Sequence, residues 1–133
     1  MHTIDTVQAI YAAFGRGDVD FILSQLSDDI EWEYDAPDSD VPWLQPRRGK
    51  DGAQRFFQEL GNTMDIQSFQ VTRILGDAQL AVGLVDIAFV VKRTGKRVQE
   101  RDEVHLWHFD ANGKVSRFRH RIDTLTQSRA CSP

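Results

Sequence analysis

Residues 103–123 read EVHLWHFDANGKVSRFRHRID, two apolar segments on either side of an Asn-Gly pair. Asn-Gly between alternating hydrophobic residues is the strongest short-range signal for a β-hairpin, because a two-residue turn of this kind needs positive φ at both positions. If Asn112 and Gly113 form that turn, pairing proceeds outward until Trp107 lies opposite Phe118. The stretch therefore predicts a hairpin whose register is set by its turn.

This register divides the hairpin into two faces, since facing residues of an antiparallel pair share one side of the sheet. The predicted inner face has Glu103, His105, Trp107, Phe118, His120 and Ile122. The other face has Val104, Leu106, His108, Arg117, Arg119 and Arg121. On the inner face His105 lies directly across from His120. Two adjacent imidazoles need hydrogen-bond partners and cannot easily both be charged, so we predict that this face lines a pocket rather than a dry core.

Helices are predicted at three places in the first half of the chain. Apolar residues recur at three- and four-residue spacing over residues 3–14 and form one stripe, which includes Tyr11 and Phe14. Asp18 can cap a second, short helix, and Asp51 can cap a third. Two helices therefore precede the first strand.

The strands complete an α+β pattern. Trp32 and Tyr34 are two residues apart and are expected on one face of a strand. The apolar segment 80–91 is typical of a central strand covered on both sides. The proline-rich segment 36–52 is either a surface connection or a pocket rim. The order helix, helix, strand, helix and four strands favours a curved antiparallel sheet with the N-terminal helices over its concave face.

Length, charge and cysteine content limit the number of domains, the classes of partner and the location that we expect. The 133 residues suit one domain, which we place at residues 1–126 with a polar C-terminal tail at 127–133. The net charge of −4 disfavours nucleic acid and anionic membranes as partners. No apolar run approaches the ~20 residues that span a bilayer, and the N-terminus lacks a secretory pattern. The single cysteine, Cys131, cannot form an internal disulfide, so a cytoplasmic location is expected.

Three blocks of sequence resemble the NTF2-like superfamily, in its SnoaL-like and ketosteroid-isomerase-related branch. They are YAAFGRGDVDFILSQLSDDIEWEYD (11–35), RRGKDGAQRFFQEL (47–60) and HFDANGKVSRF (108–118). The resemblance implies a cone-shaped fold, a homodimer through the convex side of the sheet and, in general, activity without a metal. It does not fix the chemistry, because this fold hosts many functions.

The active sites of the related enzymes do not transfer intact. By resemblance, the carboxylate base of ketosteroid isomerases falls at Tyr34, and their protonated aspartate falls at His105. The water-holding pair of limonene-epoxide-hydrolase-like members falls at Trp32 and Tyr34, and their Asp-Arg-Asp set is absent. In SnoaL-like cyclases a histidine and an aspartate occupy this hairpin, where the present chain has His105 and His120.

These comparisons and the register lead to one set of candidate residues. We predict His105 and His120 as a general acid and base pair, with the Tyr34 hydroxyl as a donor to a ligand oxygen. The predicted ligand pocket consists of Trp32, Trp107, Phe118, Glu103, Tyr11, Phe14 and Ile122. Secondary candidates are Arg101, Asp86 and Asp123. Glu103, His105 and His120 also have the residue types of a two-histidine, one-carboxylate metal site, but we predict neither a metal nor a cofactor.

Two functional hypotheses remain. The first is a cofactor-independent isomerase, cyclase or hydratase that acts by histidine-mediated proton transfer on a hydrophobic cyclic or carbonyl compound. The second is a non-catalytic module of the same fold that binds a small hydrophobic molecule or dimerises. The aromatic residues of the inner face fit both hypotheses, since they serve equally as pocket walls and as plain core packing.

Overall fold

The computed structural model describes residues 2–133, which form four α-helices, one short 3₁₀ helix and six strands. The helices are α1 (Thr3–Gly15), α2 (Val19–Ser24), α3 (Gly49–Thr63) and α4 (Thr124–Cys131), with the 3₁₀ turn at Pro42–Leu44. The strands are β1 (Leu26–Trp32), β2 (Arg47–Arg48), β3 (Met64–Gly76), β4 (Leu80–Val91), β5 (Arg97–Phe109) and β6 (Val115–Arg121). No helix within residues 2–133 is both long and apolar enough to cross a bilayer.

The six strands form one sheet in the order β2-β1-β6-β5-β4-β3. Strands β3 to β6 follow one another as an antiparallel meander, whereas β1 lies parallel to β6. The α+β class and the curved sheet are therefore confirmed, and the sheet is antiparallel at every pair except this one. Parallel neighbours need a long connection, and the chain provides it through α3 and the four strands that separate β1 from β6.

Helices α1 and α3 cover the concave side of the sheet. Helix α1 packs on β3 and β4, and α3 packs on β1. Helix α1 buries Val7 and Ile10, helix α3 buries Phe56, and all three meet the sheet in one hydrophobic core. Asp18 caps α2 as expected, because its side chain accepts a hydrogen bond from the backbone N–H of Phe21 at 3.1 Å.

The predicted register of the hairpin is confirmed at the centre, where His105 faces His120 and Trp107 faces Phe118. Alternation along β5 buries Glu103 as well, so the inner face is the one expected. Two histidines therefore lie side by side on the concave face of the sheet.

The turn of the hairpin differs from the prediction. It spans Asp110 to Gly113, closed by a 3.1 Å bond from the Gly113 N–H to the Asp110 carbonyl, and Gly113 has φ 76° while Asn112 is not left-handed. This longer turn shifts the pairing by one residue, so that Phe109 faces Val115. A second irregularity beside His108 reverses the shift before the functional residues are reached.

The C-terminal segment is part of the fold. Residues 127–131, predicted as a polar tail, belong to α4, which Asp123 caps by accepting a 3.0 Å bond from the Thr126 N–H. Gln127 and Cys131 are buried. The Gln127 Oε1 atom accepts a 2.7 Å bond from the indole of Trp43, so α4 and the proline-rich segment close over the core together.

Helix α1 approaches β4 closely at one glycine. A Cβ atom on Gly83 would overlap the Tyr11 hydroxyl and would lie 3.0 Å from its Cζ atom. The absence of a side chain at Gly83 therefore sets the depth to which Tyr11 enters the core.

Gly83→Ala should lower the free energy of unfolding by about 1–3 kcal/mol, because the added methyl group must displace the Tyr11 ring. Urea denaturation measures this loss. Gly61→Ala is the matched control, since Gly61 is exposed in α3 with open space around its Cα, and it should stabilise by about 0.5–1 kcal/mol. Equal effects of the two substitutions would contradict the described packing of Tyr11.

Candidate functional site

A cavity of about 60 Å³ lies between α1, α3 and the concave face of the sheet. The seven residues predicted as a ligand pocket all line it: Trp32, Trp107, Phe118, Glu103, Tyr11, Phe14 and Ile122. His105 and His120 line it as well. Apart from Gln127, whose Nε2 lies 3.5 Å from Glu103, the other lining residues are apolar, so the polar groups are concentrated near the two histidines. That these residues contact a ligand stays a prediction.

His105 belongs to a hydrogen-bonded chain with a single consistent direction. The Trp107 indole N–H donates to the Tyr11 hydroxyl oxygen at 3.1 Å, and that hydroxyl lies 2.7 Å from His105 Nδ1. Since the indole can only donate, the Tyr11 O–H is free to donate to Nδ1. His105 then carries its hydrogen on Nε2 and donates it to Glu103 Oε1 at 2.8 Å.

Burial favours the neutral forms of His105 and Tyr11 in this series of hydrogen bonds. Desolvation lowers the pKa of His105 and raises the pKa of Tyr11. Burial would also raise the pKa of Glu103, but the hydrogen bond from His105 and the nearby charge of His120 hold it below its ordinary value. Glu103 is therefore a carboxylate beside a neutral imidazole.

His120 has the opposite environment. Its Nδ1 atom pairs with Glu33 Oε1, and its backbone N–H donates to the same oxygen at 3.1 Å. Burial would lower the pKa of His120, but the charge of Glu33 and the hydrogen bond to it raise the pKa overall. Its Nε2 atom has no hydrogen-bond partner among residues 2–133. His120 is therefore the more basic histidine of the pair.

The two imidazoles are in direct contact, with ring centroids 4.7 Å apart and planes at 80°. One ring has a lowered pKa and the other a raised pKa. Adjacent titratable groups whose environments push their pKa values apart are typical of acid–base sites.

Glu33 was missed by the sequence analysis. Alternation along β1 places it on the opposite side from Trp32, facing away from the core. The strand ends at Trp32, however, and Glu33 has φ 55°, so its side chain turns inward and is only 2 % exposed. Glutamate is not favoured at positive φ, and no local pattern in the sequence signals this bend.

The same bend overturns the prediction for Tyr34. Its hydroxyl lies 2.7 Å from His108 Nε2 on the outer face of the sheet, and the Arg117 guanidinium lies 3.9 Å from the centre of its ring. Tyr34 therefore does not reach the cavity. Tyr11 is the tyrosine that contacts His105.

The three secondary candidates also lie outside the cavity. Arg101 is exposed, and Asp86 accepts a 3.0 Å bond from the backbone N–H of Asp102. Regular alternation along β5 would place Arg101 on the same face as Glu103, but a bulge beside Asp86 and φ 55° at Asp102 break that alternation. Asp123 is the cap of α4.

The possible metal ligands are close together. One ligand atom each from Glu103, His105 and His120 lie within 4.8 Å of one another. A metal bound to His105 Nε2 would have to replace the hydrogen on that atom, which is donated to Glu103. The expectation that no metal binds stays a prediction.

Glu33→Gln should lower the pKa of His120, because it removes the two largest contributions that oppose burial, the charge of Glu33 and the hydrogen bond to it, and leaves only the charges of Glu103 and Glu100. The pH titration of the His120 Cε1 proton by NMR measures this change. Glu31→Gln is the control, since Glu31 pairs with Arg48 and Arg117 instead. An unchanged His120 titration in Glu33→Gln would show that the carboxylate does not control the imidazole.

The comparisons with known proteins agree with this architecture. The sequence matches the SnoaL-like domain family over residues 7–118. An NTF2-like protein from Burkholderia thailandensis has a similar structure, with TM-score 0.84, 27% identity and 98% of each chain covered. Another from Burkholderia xenovorans has TM-score 0.85 and 24% identity, with 98% of this chain and 96% of that chain covered.

A third structure, named as a candidate SnoaL-like polyketide cyclase from Mesorhizobium loti, has TM-score 0.73 and 20% identity, with 91% of this chain and 99% of that chain covered. None of the curated proteins matches the sequence. The family match covers most of the chain, and the sheet and helices have the expected arrangement. The chain therefore belongs to the SnoaL-like family and has the NTF2-like fold.

Proposed function

We propose that the chain is a small-molecule enzyme that moves a proton on a neutral cyclic or carbonyl compound without a cofactor. The observation that carries the proposal is His120, which lines an apolar cavity, has its Nδ1 held by buried Glu33 and has an unpartnered Nε2 among residues 2–133. Isomerisation, cyclisation and hydration all need a group of this kind. The likeness to a candidate polyketide cyclase supports the same class of reaction.

His120 is the group that takes up and returns the proton. In its neutral form, the Nε2 lone pair accepts a proton from a ligand carbon beside a carbonyl group. Glu33 then stabilises the imidazolium that forms, and the same Nε2–H delivers the proton to another atom of the ligand. Glu33 thus acts as a positioning residue, since it holds the tautomer and orientation of His120.

The cavity walls favour a neutral ligand. Glu33 and Glu103 place two carboxylates beside the histidines, which disfavours an anionic group at that end. The cavity of about 60 Å³ is smaller than the roughly 150 Å³ cavity that holds benzene. A cyclic ligand would therefore displace half-buried side chains between α1, α3 and β3, such as Phe14, Phe57 and Phe69.

The small cavity also favours a second candidate function, a binding module without turnover. Both ring nitrogens of His105 are already hydrogen-bonded, so only His120 is free to react.

We further propose a cytoplasmic homodimer through the convex face of the sheet, where Val82, Leu84 and Leu106 are only half-buried. In either function the partner in the cavity is a small hydrophobic molecule.

Deuterium uptake from D₂O into a panel of cyclic ketones, enones and lactones, followed by NMR, tests the proposal. His120→Gln should slow the catalysed exchange at least about 100-fold. His108→Gln is the matched control on the outer face and should leave the rate unchanged. Ligand binding without exchange in the wild type would favour the binding module.

The pH dependence of the exchange follows from the ion pair. Glu33 raises the pKa of His120, so the neutral base form becomes populated only as pH rises through that raised value. The rate should therefore increase with pH, and in Glu33→Gln the increase should move to lower pH. Tyr34→Phe should not move the profile, because Tyr34 contacts His108 instead. A profile that Glu33→Gln leaves in place would contradict the assignment of His120 as the base.

A further inference from the structure

The three tryptophans differ in the partner of the indole N–H. Trp43 donates to Gln127 Oε1 at 2.7 Å, and Trp107 donates to the Tyr11 hydroxyl at 3.1 Å. The Trp32 Nε1 atom is buried and has no hydrogen-bond partner among residues 2–133. A buried donor without a partner is costly and uncommon, so this N–H needs an explanation.

Trp32 is well placed to meet a molecule in the cavity. It is 1 % exposed and lines the cavity, and its ring stacks on Phe118 with centroids 4.2 Å apart. Phe56 contacts both Trp32 and His120, with ring centroids at 5.0 Å and 5.6 Å. One small ligand against Phe56 and Phe118 can therefore reach the Trp32 indole and the His120 imidazole together.

The proposed reaction lacks a donor for the ligand oxygen. Tyr34 is on the outer face, and the Tyr11 hydroxyl is directed at His105. The His105 N–H is directed at Glu103. Trp32 thus lines this cavity and has an uncommitted neutral donor, its buried N–H.

We propose that the Trp32 indole N–H holds the carbonyl oxygen of the ligand and stabilises the negative charge that develops there; this inference rests on the proposed function. As His120 Nε2 takes the proton, the C–H bond pair forms a carbon–carbon double bond and the carbonyl π pair moves to the oxygen. Return of the proton reverses the flow, so no oxidant or reductant is needed. A donor aimed at the developing oxyanion gains strength in the transition state.

This assignment narrows the substrate class. The ligand must present a hydrogen-bond acceptor to Trp32, so a ketone, enone or lactone carbonyl fits and a pure hydrocarbon leaves the N–H unpaired. The acceptor must also lie next to an acidic C–H group that faces His120. The competing explanation is a weak contact of the N–H with a neighbouring ring, since the Trp107 ring lies at 83° to Trp32 with centroids 6.2 Å apart.

Indole ¹H–¹⁵N spectra with cyclopentanone, and with cyclopentene as a hydrocarbon of similar size, test the inference. We expect cyclopentanone to move the Trp32 N–H signal downfield and cyclopentene to move it little. The Trp43 signal serves as the internal reference, because its N–H is already bonded to Gln127. A Trp32 signal that the ketone leaves unmoved would overturn the inference: a downfield position would assign the proton to water, and an upfield position would assign it to a neighbouring ring.

Trp32→Phe provides the second measurement, since it removes the N–H and keeps an aromatic ring on Phe118. We expect the variant to bind cyclopentanone about fivefold more weakly and cyclopentene unchanged. The ketone could move the His120 signals, leave the Trp32 N–H signal in place and bind equally well to Trp32→Phe. In that case only this inference fails. If the ketone perturbs no cavity residue, the proposed ligand class fails and the inference is overturned with it.

Discussion

The pairing of buried Glu33 with His120 is the contact on which the rest of the site depends. Glu33 is 2 % exposed, and a carboxylate removed from water needs a cation or several donors. His120 supplies both, through its ring Nδ1 and its backbone N–H. Removing either partner would leave an uncompensated buried group, which typically costs about 3–5 kcal/mol.

That pair also dictates the state of the second histidine. With His120 inclined to carry a proton, a second charged imidazole at 4.7 Å would be strongly unfavourable, and burial lowers the pKa of His105 further. The Trp107–Tyr11 chain then gives Nδ1 of His105 its donor, and Glu103 accepts from Nε2. Every polar side chain of the cluster has a partner except His120 at Nε2 and Trp32 at its indole N–H. These two open positions are where a ligand would bind.

The sequence predicts the hairpin well, because its two faces follow from a period of two and any register error would have moved His105 and Trp107 off the inner face together. The turn itself was predicted incorrectly, yet two compensating irregularities left the functional pairs opposite each other. What could not be predicted is the backbone at Glu33. A single residue with positive φ exchanges the faces of two neighbouring side chains, bringing Glu33 inward and Tyr34 outward. Helix α4 was missed for a different reason. Its sequence is short and mostly polar, and the partner of its buried Gln127 is Trp43, which is distant in sequence.

The central claim is that two touching histidines are held in different protonation states by Glu33 on one side and by the Tyr11–Glu103 chain on the other. Ring ¹⁵N chemical shifts of His105 and His120 at neutral pH measure this directly, because protonated, Nδ1–H and Nε2–H imidazoles have distinct shift patterns. When these shifts are also followed over pH, the account predicts that His120 becomes doubly protonated at a higher pH than His105, and that neutral His105 has its hydrogen on Nε2. A His105 that takes up its second proton before His120, or that has its hydrogen on Nδ1, would contradict it.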